Sequence, residues 1–156
     1  MLRDKKSTWK AKLKVLVDTS FLLPAMGIDV EQEILDAIKY FRRIEVYYLE
    51  VCVLEAMWIV LKVVSSNNLD VVKEGIKAIR DTYKQLIPPP EAYIKAYEVY
   101  HKGHRDYIDN LIYATSLEKK IALLTIDYEF INFLKKNSYL INNIITPKDL
   151  KRILKD

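Results

Sequence analysis

The chain has 156 residues, of which 51% are hydrophobic and 29% charged, so it can form one domain with a complete core and is too apolar to be disordered. Lys and Arg outnumber Asp and Glu by 25 to 21, and the formal net charge of +4 favours a polyanionic partner only weakly. Cys52 is the only cysteine, which excludes an intrachain disulfide and a Cys-based zinc site.

The N-terminus and the apolar runs give no indication of export or membrane insertion. Residues 1–12 are basic and lack the apolar core of a signal peptide. No apolar run approaches the roughly 18 residues that a membrane span needs. We expect a single domain over residues 1–156, with residues 1–12 as a basic N-terminal extension, located in the cytoplasm and not at a membrane.

The first predicted element is a strand that stops at a carboxylate. In the run KVLVDTSFLL, the apolar residues 15–17, two of which are β-branched valines, predict a short buried strand. Asp18, Thr19 and Ser20 follow at once and suit a turn into a helix that begins at Phe21. Because open α/β sheets bind ligands outside the carboxyl ends of their strands, Asp18 is either a helix cap or part of a site.

The middle of the chain is predicted to be mostly helical. An alternating pattern predicts a strand at residues 44–48. Apolar residues at helical spacing predict helices at residues 30–41, 49–64, 69–86 and 91–102. The second of these is apolar nearly all round, so we expect it to be buried on every side. Glu55 is unusual in such a helix, and it is either bound to a metal, ion-paired, or on a narrow exposed strip.

A second informative stretch is HRDYIDNLIYATSLEKKIALLTIDYEF, residues 104–130. Its first half predicts a helix with Asp106 and Asp109 on one face, either as part of a site or as a structural pair that the helix dipole stabilises. Its second half predicts a strand at residues 121–125, and Asp127 follows that strand as Asp18 follows the first. A helix to residue 136, a strand at 139–145 and a helix from Pro147 complete the chain.

This order of elements predicts an α/β domain with a mainly parallel sheet. The carboxyl ends of parallel strands lie on one edge, so Asp18, Glu55, Asp109 and Asp127 can converge there. Carboxylates in contact repel by about 4 kcal/mol per pair at an effective dielectric constant of about 20, and a divalent cation relieves that repulsion. Oxygen ligands without Cys or His favour Mg²⁺ or Mn²⁺ over zinc.

Four segments resemble motifs of the PIN domain family, and in size and layout the chain resembles its single-domain VapC-type toxins. The segments are VLVDTSFLL, VLEAMW, DNLIYATSL and LLTIDYEF, and with the intervening helices they cover nearly the whole chain. The resemblance implies a three-layer α/β/α fold and metal-dependent endonuclease activity on RNA. For toxins it also implies homodimers and a small antitoxin partner.

The resemblance also implies a set of metal ligands and catalytic residues: Asp18, Glu55, Asp109 and Asp127. Asp106 could share or replace the role of Asp109. Glu129 stands where the family often has Asp, so the resemblance assigns it no definite role.

The expected chemistry is hydrolysis of an RNA phosphodiester bond with Mg²⁺ or Mn²⁺ as the principal catalyst. Asp18 and Asp127 would be the central ligands, and Glu55 and Asp109 would bind a second ion or hold its waters. Three hydroxyl residues, Thr19, Ser20 and Thr125, could hydrogen-bond the carboxylates or a phosphate, although capping explains them equally well. A general acid role for His101 or His104 is conceivable, but the metal mechanism does not require it.

Three other functions are compatible with parts of the pattern. An acyl-phosphate phosphatase or a phosphoryl-receiver domain also places an Asp after the first strand, but Ser20 stands where the phosphatase needs a second Asp. A PIN nuclease that processes ribosomal RNA usually carries extra domains. A non-catalytic RNA-binding module could keep the fold, and the presence of all four acids argues against it.

Overall fold

The computed structural model describes residues 11–155 and is built on a parallel sheet of five strands. The strands, in chain order, are β1 (Lys14–Val17), β2 (Glu45–Leu49), β3 (Lys84–Leu86), β4 (Ala122–Leu124) and β5 (Ile144–Ile145). Their spatial order is β3-β2-β1-β4-β5, and every neighbouring pair is parallel. The predicted parallel α/β architecture is therefore confirmed. Residues 1–10 of the predicted basic extension lie outside the described residues.

Helices cover both faces of this sheet and complete a three-layer α/β/α arrangement. They are α1 (Gln32–Ile38), α2 (Glu50–Val63), α3 (Leu69–Thr82), α4 (Pro90–Lys102), α5 (Tyr107–Lys119), α6 (Tyr128–Lys136) and α7 (Pro147–Leu154). Successive strand side chains point to opposite faces, and Val15, Leu16 and Val17 of β1 are all fully buried, so both faces are covered. Helix α4 packs along α5, and α7 packs against α1.

The centre of the sheet is a topological switch point. The chain runs from β1 outward to β2 and β3, then returns to place β4 on the other side of β1. The Asp18 N–H donates to the Leu124 carbonyl at 3.3 Å, which joins the carboxyl ends of β1 and β4. Ligand sites of open α/β sheets lie at such points, so the fold places Asp18 and Asp127 where a site is expected.

The predicted helix after Asp18 is wrong. Two short 3₁₀ turns, Thr19–Phe21 and Leu23–Met26, take its place. Pro24 cannot donate a backbone hydrogen bond, and Gly27 ends the second turn in the left-handed region at φ 79°, so neither turn extends into an α-helix.

The strand β3 was not predicted, because the pattern at residues 69–86 indicates one continuous helix. Helix α3 instead ends at Thr82, and Tyr83 is extended at φ −100° and ψ 159°. The next three residues pair with β2, with Lys84 opposite Tyr47. None of the β3 residues is buried, so this edge strand carries no apolar alternation for a sequence pattern to detect.

The predicted strand at 139–145 is shortened to its last two residues. A turn closed by the Ile144 N–H and the Ile141 carbonyl precedes it. The Asn143 side chain donates to Ser116 Oγ at 2.9 Å and to the Ile121 carbonyl at 3.3 Å, which holds that turn against α5 and the start of β4.

Helix α2 is not buried all round, so that prediction is also wrong. Leu54, Trp58 and Leu61 repeat at helical spacing on one face and are exposed by 55%, 52% and 77%. The opposite face packs inward through Cys52, Val53, Ala56 and Val60. The described part of the chain therefore leaves an apolar face of α2 uncovered. No described helix is both long enough and apolar enough to span a membrane.

Candidate active site

Asp18 follows β1 directly and is both a cap and a member of an acidic cluster. Its Oδ1 accepts the Ser20 N–H at 2.9 Å, which caps the first 3₁₀ turn. Burial raises the pKa of Asp18 to about 6; interactions with the Thr125 hydroxyl and with Ser20 oppose this rise, and the charge of Asp127 adds to it. The two interpretations of Asp18 are thus compatible, because the cap uses only one of the two carboxylate oxygens.

Asp127 repeats this design after β4. Its Oδ1 accepts the Phe130 N–H at 2.9 Å and caps α6. Its own N–H donates to Thr125 Oγ1 at 3.0 Å, so the hydroxyl at the end of β4 fixes the loop that carries the carboxylate.

Asp106 and Asp109 have different positions although they are three residues apart. Asp106 is exposed, and its Oδ1 accepts the Asp109 N–H at 3.0 Å, which makes it the N-cap of α5. Asp109 is half-buried, and its pKa is raised to about 8 by burial first and then by repulsion from Asp106, Asp18, Glu55 and Asp127. Asp109 therefore lies in the field of all the other acids.

Glu55 reaches the cluster from α2. Glu55 is half-buried and makes no ion pair with any residue from 11 to 155. The structure therefore does not support the ion pair, which was one of the two structural alternatives to metal binding. Burial raises its pKa and the charge of Asp106 adds to the rise, while the neighbouring Thr19 hydroxyl opposes it. Thr19 is only 6% exposed, and its Oγ1 has no hydrogen-bond partner of good geometry within the described residues.

The acids surround a very small space. A cavity of about 10 Å³ is lined by Asp18, Asp109 and Thr125, with apolar side chains beneath. That volume is close to the minimum for one water or ion. The charges of Asp18, Glu55 and Asp127 all raise the pKa of Asp109, and the buried Thr19 hydroxyl has no partner of good geometry among residues 11–155. Together these oxygens form a donor set that fits a hard divalent cation.

Sequence reasoning missed the position of His104. One ligand atom each from His104, Asp109 and Asp127 lies within 4.8 Å of the other two. His104 precedes α5 in a loop, and nothing in the local pattern separates it from an ordinary surface histidine. Glu129 is exposed on the first turn of α6, and the described contacts do not connect it to the cluster.

A family model for the PIN domain matches residues 15–135, the segment that contains every acid of the cluster. The chain belongs to the PIN domain family. The match covers more than half of the chain, and it confirms the resemblance seen in the four sequence motifs.

Solved structures of similar fold include one described as a toxin–antitoxin complex. A toxin–antitoxin complex from Klebsiella pneumoniae aligns at 16% identity with a TM-score of 0.59, covering 85% of this chain and 97% of that one. FitAcB from Neisseria gonorrhoeae aligns at 14% identity with a TM-score of 0.60, covering 86% of this chain and 98% of that one. VapBC-1 from nontypeable Haemophilus influenzae aligns at 10% identity with a TM-score of 0.61, covering 87% of this chain and 99% of that one. At these identities the likeness establishes the PIN fold alone. A comparison with curated protein sequences found no significant match.

Proposed function

We propose that this PIN domain is a divalent-metal-dependent endoribonuclease that hydrolyses RNA phosphodiester bonds. The observation that carries the proposal is the convergence of Asp18, Glu55 and Asp127 around Asp109, whose pKa they raise together with burial and Asp106. A cluster with such repulsion is costly to keep ionised unless a cation binds it. Placed at the switch point of the sheet, it has the ligand type and the location of a catalytic metal site.

The protein's own residues supply a preorganised set of ligands. Asp18 and Asp127 each use one oxygen to cap a backbone turn, which aims the other oxygen before any ion arrives. Asp109 and Glu55 complete the negative field from α5 and α2. Bound Mg²⁺ or Mn²⁺ lowers the pKa of a water and offsets charge on the phosphate. Ser20 and Thr125 hold the capped carboxylates in place.

The same proposal assigns the chain to the toxins of VapBC-type pairs. Among the structures that share its fold, one is described as a toxin–antitoxin complex and another as VapBC-1. In this proposal a small antitoxin protein inhibits the nuclease in the cytoplasm, and the nuclease itself is a homodimer. Inspection of the gene immediately upstream for a short DNA-binding protein with an apolar, Arg-containing tail tests the antitoxin.

Two exposed apolar faces support protein partners. One is the α2 face described above, and the other lies on α4 and includes Ile94, which is 64% exposed. Apolar surface of this kind often marks an interface. Light scattering of the wild type, Leu61→Glu and Ile94→Glu tests this: a dimer that one substitution converts to monomer supports the proposal and locates the interface. A monomeric wild type at all concentrations contradicts the homodimer.

The catalytic proposal is tested by separating cleavage from binding. Wild type should cut single-stranded RNA with Mg²⁺ or Mn²⁺ and stop on addition of EDTA. Asp18→Asn/Asp127→Asn should lose cleavage while RNA binding in Ca²⁺ persists or tightens, because fewer anions face the phosphate backbone. Asp81→Asn, at an exposed position on α3, is the matched control and should cut normally. If the wild type binds a broad RNA panel without cutting it, and antitoxin is shown to be absent, the protein is a non-catalytic binding module and the nuclease proposal is wrong.

A further inference from the structure

A buried asparagine fixes the orientation and the tautomer of His104. Asn110 is fully buried, and its Nδ2 donates to the His104 carbonyl at 2.8 Å and to the Ala96 carbonyl at 3.4 Å. With both carbonyls facing the amide nitrogen, Oδ1 is the atom that faces His104 Nδ1, at 2.7 Å. Oδ1 can only accept a hydrogen bond, so Nδ1 is the protonated nitrogen of the ring.

The other ring nitrogen is therefore free to bind. In the neutral imidazole with a proton on Nδ1, Nε2 carries the lone pair. The ring cannot turn easily, because it stacks on Phe130 with 4.2 Å between centroids and an interplanar angle of 21°. Phe133 contacts it as well, with centroids 5.4 Å apart. A histidine that donates its Nδ1–H to a fixed acceptor and keeps the Nε2 lone pair for the ion is the usual arrangement of a metal-ligating histidine.

The imidazole of His104 lies beside the carboxylates of the cluster. The ligand atoms of His104, Asp109 and Asp127 all lie within 4.8 Å of one another. Ligands about 2.1 Å from one ion are about 3 Å apart at right angles and about 4 Å apart when opposed, so only small shifts separate this cluster from shared coordination. The buried, unpartnered Thr19 hydroxyl next to Glu55 is an independent sign that the cluster lacks a ligand.

We propose that His104 Nε2 is a metal ligand beside Asp109 and Asp127, and that the site consequently prefers Mn²⁺ to Mg²⁺. This inference rests on the metal site of the proposed function and goes beyond it. Imidazole nitrogen suits first-row transition ions, whereas Mg²⁺ takes oxygen ligands almost exclusively. The mixed donor set thus differs from the all-oxygen set that the acids alone would form.

The first measurement is ion affinity, made on the full chain with any affinity tag removed. Free Mn²⁺ is followed by its room-temperature electron paramagnetic resonance signal, and Mg²⁺ affinity is obtained by competition. His104→Gln should weaken Mn²⁺ binding at least about tenfold and change Mg²⁺ affinity less than about threefold. His101→Gln is the matched control, because His101 is the only other histidine and lies exposed at the end of α4, against Tyr97.

The second measurement is spectroscopic and independent of activity. Electron spin echo modulation of bound Mn²⁺ should show coupling to an imidazole ¹⁴N in wild type and in His101→Gln, and the coupling should vanish in His104→Gln. Circular dichroism establishes that each variant is folded.

The outcomes separate this inference from the proposed function. If wild type binds no Mn²⁺ or Mg²⁺, even with RNA present, both are overturned. If it binds Mn²⁺ without ¹⁴N coupling and His104→Gln binds equally well, only the ligand role of His104 is overturned. Loss of cleavage in His104→Gln with unchanged ion affinity would likewise overturn the ligand role and leave His104 as an acid or a substrate contact.

Discussion

Asp106 and Asp109 show how residues of one type, on one helix face, take different roles. Asp106 Oδ1 accepts the Asp109 N–H and begins α5, whereas the Asp109 side chain is half-buried among the other acids. The helix period alone places the two side by side. The N-cap geometry decides between them, because a cap must point back along the helix axis while a residue one turn later can point toward the sheet edge.

We therefore predict that substitutions at the two positions differ in their effects on RNA cleavage and on stability. Asp109→Asn should reduce RNA cleavage by at least about a hundredfold and should not destabilise the metal-free protein, because it replaces a carboxyl group that burial and the neighbouring acids make costly to ionise. Asp106→Asn should only weaken cleavage, since Asn also caps well, whereas Asp106→Ala should cost about 1 kcal/mol of unfolding free energy. Cleavage assays measure the loss of activity, and urea denaturation measures the change in the free energy of unfolding. The reverse ranking in cleavage would show that Asp106 is the ligand.

The raised pKa values of Asp18 and Asp109 predict a pH dependence for the metal-free protein. The native state keeps protons on these groups up to about pH 6 and about pH 8, whereas the unfolded chain releases them near the ordinary aspartate pKa of 3.8. The native state then binds more protons in this window, so the free energy of unfolding falls as pH rises from about 4 to about 8. Each proton contributes a slope of at most about 1.4 kcal/mol per pH unit.

Urea denaturation in EDTA at several pH values between about 5 and about 8 measures this slope. Asp109→Asn should show a shallower decline than wild type, and Asp81→Asn should match wild type. Equal slopes for wild type and Asp109→Asn would mean that Asp109 titrates normally.

At the scale of elements, the close contact between α3 and the turn after β1 depends on one glycine. Gly75 is buried on α3, and a Cβ there would lie 2.1 Å from the Ala25 carbonyl oxygen. Real Cβ atoms do not approach backbone so closely, so the helix or the 3₁₀ turn Leu23–Met26 would have to move. That turn comes immediately after the Thr19–Phe21 turn, which Asp18 caps, and its position therefore bears on the site.

Gly75→Ala should consequently destabilise the protein, although alanine is normally the better helix residue. We expect a loss of about 1–3 kcal/mol in unfolding free energy, as for other overpacked positions. Glu74→Ala, one residue earlier and exposed, should change it by no more than about 0.5 kcal/mol. Chemical denaturation of the two variants compares them directly, and a stabilised Gly75→Ala would contradict the close packing of α3 on this turn.

At the scale of the whole molecule, the proposed metal site predicts that native stability depends on bound ions. Its members come from the carboxyl ends of β1 and β4, from α2 and from the start of α5, so they converge only in the folded chain. An ion that binds this set binds the native state alone and stabilises it by mass action.

Millimolar Mn²⁺ or Mg²⁺ should therefore raise the melting temperature. The metal is expected to stabilise by about 2.7 kcal/mol at a hundred times its Kd. The shift should shrink in Asp18→Asn and reverse with EDTA, whereas Asp81→Asn should respond as wild type does. Identical shifts in wild type and Asp18→Asn would locate the ion elsewhere.

Much of this protein is determined by patterns that are local in sequence. Short apolar strands that stop at Asp18 and shortly before Asp127 predict a parallel α/β domain with acids at one edge, because strand periodicity and turn chemistry act over a few residues. The four motifs added the family and the set of acids, and the family and the fold are confirmed.

Tertiary structure alone decided the features that depend on distant partners. The strand β3 exists because β2 offers an open edge, and its own residues carry no strand pattern. The exposed face of α2 depends on which elements cover it, which its apolar composition cannot reveal. The tautomer of His104 depends on Asn110, whose amide is oriented by the carbonyl of Ala96 on another helix. Such contacts join residues that the chain separates, and only the packed fold brings them together.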